Sequence, residues 1–273
     1  MASFSITTAW NETVEFLKRE SRLVLPIAFL LVSLPGAALQ YMMPTPTPGQ
    51  PPDLEGLMQG LKTVLLALPV VVVLSLIGTI AISYLAIRPG RTVGEALQVG
   101  GRRFIFLLLA TLLLGIGAVC LFLPLFALIG LYAPTPPPGA LIFLLVLFYL
   151  ILFLALAIRM MLITPIAAAE EAGPIAIIVR SWALTKGYFW KLLGFLIVFW
   201  ITALIVVMVI SIIFALIVTL FAGPPMPGSF PAFLLLLCSA VVQAVVTSII
   251  ATMVARIYVQ LAGIGTTPAE VFA

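Results

Sequence analysis

The sequence predicts an all-α, polytopic membrane bundle of six transmembrane helices. Three observations predict this fold: the composition, the long intervals without charge, and the proline-rich segments that interrupt those intervals. Of the 273 residues, 64% are hydrophobic and only 8% are charged, whereas a soluble domain averages about 25% charged residues. With 13 Lys and Arg and 9 Asp and Glu, a soluble globule of this size could not cover its surface. We therefore expect a single integral membrane domain over residues 1–273.

The charge-free intervals give the number of spans. A helix that crosses the hydrocarbon core needs about 20 mostly apolar residues. The first two intervals predict one span each, at residues 23–43 and 63–87. The intervals 104–158 and 192–255 contain 55 and 64 uncharged residues, which is too long for a single helix. Each of these two intervals is therefore expected to hold two spans.

Proline-rich segments divide the two long intervals. PTPPPG occupies residues 134–139 and GPPMPGSFP occupies residues 223–231, and a similar PTPTPGQPP follows the first span. Polyproline backbone makes no internal hydrogen bonds, so it cannot face lipid. We therefore expect these segments to be turns outside the hydrocarbon core, which gives six spans in total.

The basic residues define the expected orientation. Twelve of the thirteen Lys and Arg residues lie on one side of the predicted spans, and only Lys62 lies on the other. Because Lys and Arg accumulate on the cytoplasmic side of a membrane, both termini are expected to be cytoplasmic and the proline-rich turns to face outward. The expected location is the cell inner membrane, as a multi-pass protein.

The predicted spans fall into three repeats of an interfacial amphipathic helix followed by a helical hairpin. The repeats cover residues 5–87, 91–166 and 170–260. The proline-rich turns begin 90 residues apart, at Pro44, Pro134 and Pro224. The segment before the first span of each repeat combines apolar residues with basic ones. Trp also occurs in the first and third of these segments, and Tyr in the third. Such helices lie in the membrane interface; the alternative is that the segments are plain cytoplasmic connectors.

Several absences restrict the function. The chain contains no histidine and only two cysteines, so it lacks imidazole metal ligands and the usual general base near neutral pH. It also has no C-x-x-C and no glycine-rich phosphate-binding motif. We therefore expect no catalytic residues, no metal site, no cofactor and no enzymatic activity. The basic residues are interpreted as membrane-facing, so nucleic acid is not expected as a partner.

Two predicted spans carry stripes of polar side chains that repeat every four residues. The stripes are Ser75, Thr79 and Ser83 in the second span and Ser239, Gln243 and Thr247 in the sixth. Small and hydroxylated residues favour close helix packing in lipid. The alternative is that the stripes line a pathway for a small, weakly polar solute.

Five basic residues on the predicted cytoplasmic side are the candidate contacts for anionic lipid headgroups. These residues are Arg102, Arg103, Arg180, Lys186 and Lys191. A basic residue near an anionic membrane surface contributes about 1 kcal/mol to binding. The alternative is that they determine only the topology.

A structural ion pair is predicted between Arg159 and either Glu170 or Glu171. The connection between them, residues 160–169, is short, so the charges are expected to lie close together. The alternatives are that Arg159, at the end of the fourth span, extends its side chain to the membrane interface, or that it binds a lipid phosphate.

The third repeat contains a longer motif. It begins as RMMLITP at Arg159, continues with Glu170 and Gly173-Pro174, and ends as RSWALTKGYFWKLLG from Arg180. This pattern resembles the membrane domain that precedes the catalytic domain in some glycerophosphoryl diester phosphodiesterases, and its stand-alone prokaryotic multi-span relatives. TVGEAL at residues 92–97 is similar to its beginning, so the resemblance covers two of the three repeats.

The resemblance implies an integral membrane fold, and it does not imply phosphodiesterase activity. Those enzymes carry their activity on a separate soluble barrel with histidines and metal-binding carboxylates, and this sequence has no histidine. The predicted function is that of a non-catalytic integral membrane protein that binds, organises or helps to move membrane lipids, with anionic headgroups as partners. The alternatives are a transporter of a small, weakly polar solute, and a scaffold subunit whose partners are other membrane proteins.

Overall fold

The computed structural model describes residues 5–42, 54–131, 139–226 and 228–263, and these residues form helices and the turns between them. The α-helices are α1 (Ile6–Ile27), α2 (Leu34–Met42), α3 (Leu54–Ile87), α4 (Val93–Leu131), α5 (Gly139–Met160), α6 (Ile163–Ala169), α7 (Pro174–Thr185), α8 (Phe189–Ala222) and α9 (Phe230–Ala262). A π-helical turn, Ala28–Ser33, joins α1 to α2. No β-strand occurs within these ranges, and the predicted all-α fold is confirmed.

Within the part of the chain that the structure describes, six helices are long and apolar enough to cross a membrane, which confirms the predicted number of spans. They are the continuous helix Ile6–Met42 and the apolar parts of α3, α4, α5, α8 and α9. The first two proline-rich turns, which begin at Pro44 and Pro134, lie outside the described residues. The third joins α8 to α9: Gly223, with φ of 88°, ends α8, and the Ser229 side chain caps α9 by accepting a hydrogen bond from the Ala232 N–H.

The amphipathic segments differ from the prediction in two of the three repeats. The first segment is the N-terminal part of α1 and the second is the start of α4, and both continue into their spans as one helix. No proline or positive-φ glycine separates these segments from their spans, so the helical hydrogen bonds continue. The third segment is a separate helix, α7, because Gly187 adopts φ of 94° before α8, a conformation that glycine adopts without steric cost.

The buried core lies toward one end of the bundle. We call this end of the bundle the basic end. It is the end at which α3, α5 and α9 finish and at which α4 and α8 begin. All residues from 80 to 86 of α3 are buried, as are Ile166 of α6 and Tyr258 of α9. By contrast, residues 141–157 of α5 and 111–125 of α4 include no buried residue. The helices are therefore held together mainly at the basic end, and elsewhere they leave apolar surface open to lipid.

Two glycines bring helix backbones close together in this core. A Cβ atom added at Gly100 of α4 would lie 2.8 Å from the carbonyl oxygen of Ile77 on α3. A Cβ atom added at Gly78 would lie 2.8 Å from Cγ2 of Val32 in the π-helical turn. Small residues allow close backbone approach between helices in lipid, so these glycines let α3 contact both neighbours directly.

Candidate functional site

Glu170 joins the α6–α7 connection to the last span. Its Oε1 atom accepts a hydrogen bond of 2.9 Å from the Tyr258 hydroxyl and one of 3.2 Å from Nε of Arg180. Tyr258 belongs to α9 and is fully buried. A hydrogen bond to a charged group is stronger than one between neutral groups. The Glu170 carboxylate therefore holds the α6–α7 connection against α9 through its hydrogen bond with Tyr258.

Arg103 of α4 caps the C-terminus of α6. Its Nη1 atom donates to the carbonyl oxygens of Ala167 at 3.2 Å and Glu170 at 2.8 Å, and Nη2 donates to Oε1 of Glu171 at 3.1 Å. The last carbonyl groups of a helix lack intrahelical donors and carry partial negative charge. The Arg103 guanidinium supplies both donors and positive charge, and its side chain is only 20% exposed.

The two carboxylates do not pair with Arg159 as the sequence predicted. Glu170 pairs with Arg180 and Glu171 pairs with Arg103. The physical reason is α6, since the expected short loop forms a helix that contacts α3, α4 and α9 and carries the carboxylates toward Arg103.

Arg159 makes other contacts at the end of α5. Its guanidinium lies over the Trp182 ring, with Cζ 5.1 Å from the ring centroid. Its backbone oxygen accepts a hydrogen bond of 2.6 Å from the Ser181 hydroxyl. These contacts attach α7 to α5.

The five candidate headgroup contacts separate into two groups. Arg103 and Arg180 are held in ion pairs, although Arg180 is also exposed. Arg102, Lys186 and Lys191 are exposed and form no ion pair with the described residues. A cavity of about 470 Å³ lies beside Arg102 and Arg103, but Glu170 and Glu171 also line it. Because two carboxylates offset the two cations, this cavity is a poor site for an anionic headgroup.

A long apolar groove lies along α8 and α9, and we call it the α8–α9 groove. Its volume is about 770 Å³. The α8 wall extends from Phe195 to Phe214 and the α9 wall from Val241 to Met253, and α1 lines its basic end with Ile6, Thr7 and Trp10. Both α1 and α8 contact α9, so the groove lies over α9 between them.

The basic end of the α8–α9 groove is lined by the aromatic side chain of Trp10, and a cation lies one helical turn before the groove on α8. Lys191 is exposed and precedes Phe195 by four residues on α8, which places both residues on one helix face. Trp10 is 43% exposed and lines the groove. Trp prefers the headgroup level of a membrane. The end of the groove thus has the chemistry of a lipid–water boundary.

Sequence reasoning missed the α8–α9 groove because its residues are ordinary span residues. Valine, isoleucine and phenylalanine at helical spacing are equally typical of a helix that faces bulk lipid. The only signal was indirect: Lys191 was already a candidate headgroup contact, and Trp10 marked the first amphipathic segment as interfacial.

The fold and these contacts define a multi-span helical membrane protein with a charged cluster at one end and an apolar groove beside it. The chain belongs to the family described as a domain of unknown function, DUF7847, whose model matches residues 5–261. No curated protein and no solved structure matches the sequence. The comparisons give no link to the membrane domain of glycerophosphoryl diester phosphodiesterases, so that resemblance stays a prediction.

Proposed function

We propose that the protein binds membrane lipids in the α8–α9 groove, and that it organises or helps to move them without catalysing a reaction. The observation that carries this proposal is the groove itself. Its volume of about 770 Å³ lies within the range of about 300–1,000 Å³ that is typical of small-molecule sites. Its lining is almost entirely apolar, with Thr7 and Thr202 as the hydroxyl-bearing residues. Such a lining favours hydrocarbon chains.

The second part of the proposal concerns the headgroup. Lys191, one helical turn before the lining residue Phe195, would provide a positive charge beyond the basic end of the groove, where Trp10 provides an amphipathic ring. A lipid whose chain occupies the groove from this end would place its phosphate near the Lys191 ammonium group. We therefore assign anionic lipids of the leaflet at the basic end as the ligands. From the positive-inside rule we infer that this end faces the cytoplasm.

Val198→Trp is expected to weaken lipid binding about tenfold, which corresponds to about 1.4 kcal/mol. Val198 lines the groove near its basic end, and an indole there would occupy the space of the chain. The measurement is titration of the detergent-purified protein with a fluorescent phosphatidylglycerol. Ile201→Trp is the matched control, because Ile201 is similarly exposed on α8 but does not line the groove. Equal affinities of the two variants would contradict the proposal.

Lys191→Gln is expected to weaken binding of phosphatidylglycerol about fivefold, since one basic residue near an anionic headgroup contributes about 1 kcal/mol. Binding of phosphatidylcholine should change much less, because its headgroup carries no net charge. The same titration with both lipids measures this difference. Lys186→Gln is the control, as Lys186 is also exposed but lies in the α7–α8 turn. If both substitutions weaken phosphatidylglycerol binding equally, the Lys191 charge makes no specific contribution to lipid binding at the groove.

The stripe of the second span and Thr247 of the sixth support helix packing more than solute transport, whereas Ser239 and Gln243 are exposed. Ser83 and Thr247 are buried, and the Thr79 and Ser239 hydroxyls donate hydrogen bonds to carbonyl oxygens of their own helices. The α8–α9 groove is lined by neither stripe. The transporter and scaffold alternatives thus lack an observation comparable to the groove.

A further inference from the structure

A second cavity lies at the basic end of the bundle, and we call it the α4–α7 cavity. Its walls are the face of α4 that carries Val99 and Phe106, the α6–α7 connection and Ile177 of α7. No described residue lines both this cavity and the α8–α9 groove. Its volume of about 470 Å³ lies within the range of about 300–1,000 Å³ that is typical of small-molecule sites. The α4–α7 cavity is therefore large enough to be a binding site of its own.

The cavity carries charges of both signs, and they are unequally engaged. Arg103 and Glu170 make the contacts described above. Arg102 is exposed and forms no ion pair with the described residues. The Glu171 side chain is 92% exposed and accepts from Arg103 through Oε1, while a carboxylate has about four acceptor positions. The cavity thus offers an incoming molecule one guanidinium and one carboxylate.

These two groups define the charge of the ligand that fits. The Arg102 guanidinium suits a phosphate group, because its donors match phosphate oxygens in pairs. The Glu171 carboxylate repels a second anion and attracts a cation. A primary ammonium group has three N–H donors for a carboxylate, whereas a trimethylammonium group has none. The complement to both residues is therefore a phosphate ester that carries a primary ammonium group.

An apolar stripe leads from the cavity along α4 toward the middle of the span. Phe106 lines the cavity and follows Arg102 by four residues, so both lie on one helix face. Leu109 and Leu113 continue this face at three and seven residues beyond Phe106, and both are exposed. A headgroup in the cavity would leave its hydrocarbon chains along this stripe. The stripe thus favours a lipid over a soluble molecule as the source of the phosphate ester.

We propose that the α4–α7 cavity binds the headgroup of an ethanolamine phospholipid, with the phosphate at Arg102 and the ammonium group at Glu171. This ligand differs from that of the α8–α9 groove, because an ethanolamine headgroup carries no net charge. The two sites share no lining residue among those described, so each is tested independently of the other.

The test compares three lipids with identical chains: phosphatidylethanolamine, phosphatidylcholine and phosphatidylglycerol. Their binding to the full-length protein is measured by native mass spectrometry. The unsubstituted protein is expected to bind phosphatidylethanolamine about threefold more tightly than phosphatidylcholine, as is typical of one exposed pair of opposite charges. Glu171→Gln should abolish this preference and strengthen phosphatidylglycerol binding, because it removes the negative charge beside Arg102. Misfolding would weaken binding of all three lipids, so it cannot produce these opposite changes.

Arg102→Gln is expected to weaken binding of phosphatidylethanolamine and phosphatidylcholine alike, by about fivefold, because both lipids carry the phosphate. Glu15→Gln is the matched control for Glu171→Gln, since Glu15 is also exposed and paired with an arginine but does not line the cavity. Lys186→Gln is the control for Arg102→Gln, as an exposed cation outside the cavity. Neither control should change the preference among the lipids.

Three outcomes would overturn the proposal. The first is equal affinity of the unsubstituted protein for phosphatidylethanolamine and phosphatidylcholine. The second is loss of the preference in Val198→Trp, which fills the α8–α9 groove and would then show that the ethanolamine lipid binds there. The third concerns the source of the ligand: soluble phosphoethanolamine should bind at least about tenfold more weakly than the lipid, because it lacks chains to bury along α4. Equally tight binding of the soluble ester would contradict the assignment to a lipid.

Discussion

Arg103→Gln is expected to lower the free energy of unfolding by about 3 kcal/mol, because hydrogen bonds to charged groups contribute about 1.5–3 kcal/mol each. The Arg103 guanidinium donates to the last carbonyl groups of α6 and to Glu171. A glutamine side chain is shorter and uncharged, so it cannot make these contacts together. The measurement is equilibrium unfolding of the purified protein in mixed micelles.

Arg102→Gln is the matched control for this prediction. Arg102 is the neighbouring residue, carries the same charge and is exposed. A surface substitution of this kind changes stability by about 0.5 kcal/mol or less. Equal losses of stability in the two variants would contradict the capping role of Arg103. A loss of bound lipid without a loss of stability in Arg103→Gln would restore Arg103 as a headgroup contact.

The difference between Arg102 and Arg103 could not be predicted from the sequence. The two residues are adjacent, and successive residues on a helix point about 100° apart. Which one faces α6 depends on how α4 is rotated in the bundle, and that rotation is set by the contact of Gly100 with Ile77. Both residues therefore looked like equivalent headgroup contacts until the packing was known.

The number of spans could be predicted because it depends only on local properties. Hydrophobic length and charge placement determine which segments can cross a bilayer, and six helices of the structure meet that criterion. The position of the helix starts was harder to predict. An amphipathic segment can either end in a turn or continue into its span, and the positive φ of Gly187 makes that difference in the third repeat.

The charged cluster has a structural role and the groove is the proposed binding site, which is the reverse of what the sequence suggested. Charged residues near a membrane were the expected functional groups, yet Glu170, Arg103 and Arg180 bind one another, α6 and α9. The apolar residues of α8 were expected to be plain span residues, yet they line the groove. In a bilayer, apolar surface alone does not drive helix association, which supports the proposal that lipid occupies the apolar concavity between α8 and α9.

Gly100→Ala is expected to destabilise the contact between α3 and α4 by about 2 kcal/mol, since overpacking of a filled interface costs about 1–3 kcal/mol. The new Cβ would lie 2.8 Å from the Ile77 carbonyl oxygen, and a backbone atom cannot rotate away as a side chain can. Equilibrium unfolding in mixed micelles measures this loss.

Gly101→Ala separates this steric effect from helix propensity. No atom lies within 4 Å of a Cβ added at Gly101, and Gly101 is exposed. An alanine in an exposed helix interior is more favourable than glycine by up to about 1 kcal/mol. Two adjacent substitutions of the same kind should therefore change stability in opposite directions. If Gly100→Ala also stabilised the protein, α3 and α4 would not be in close contact at this point, and the rotation of α4 that directs Arg103 toward α6 would lose its physical basis.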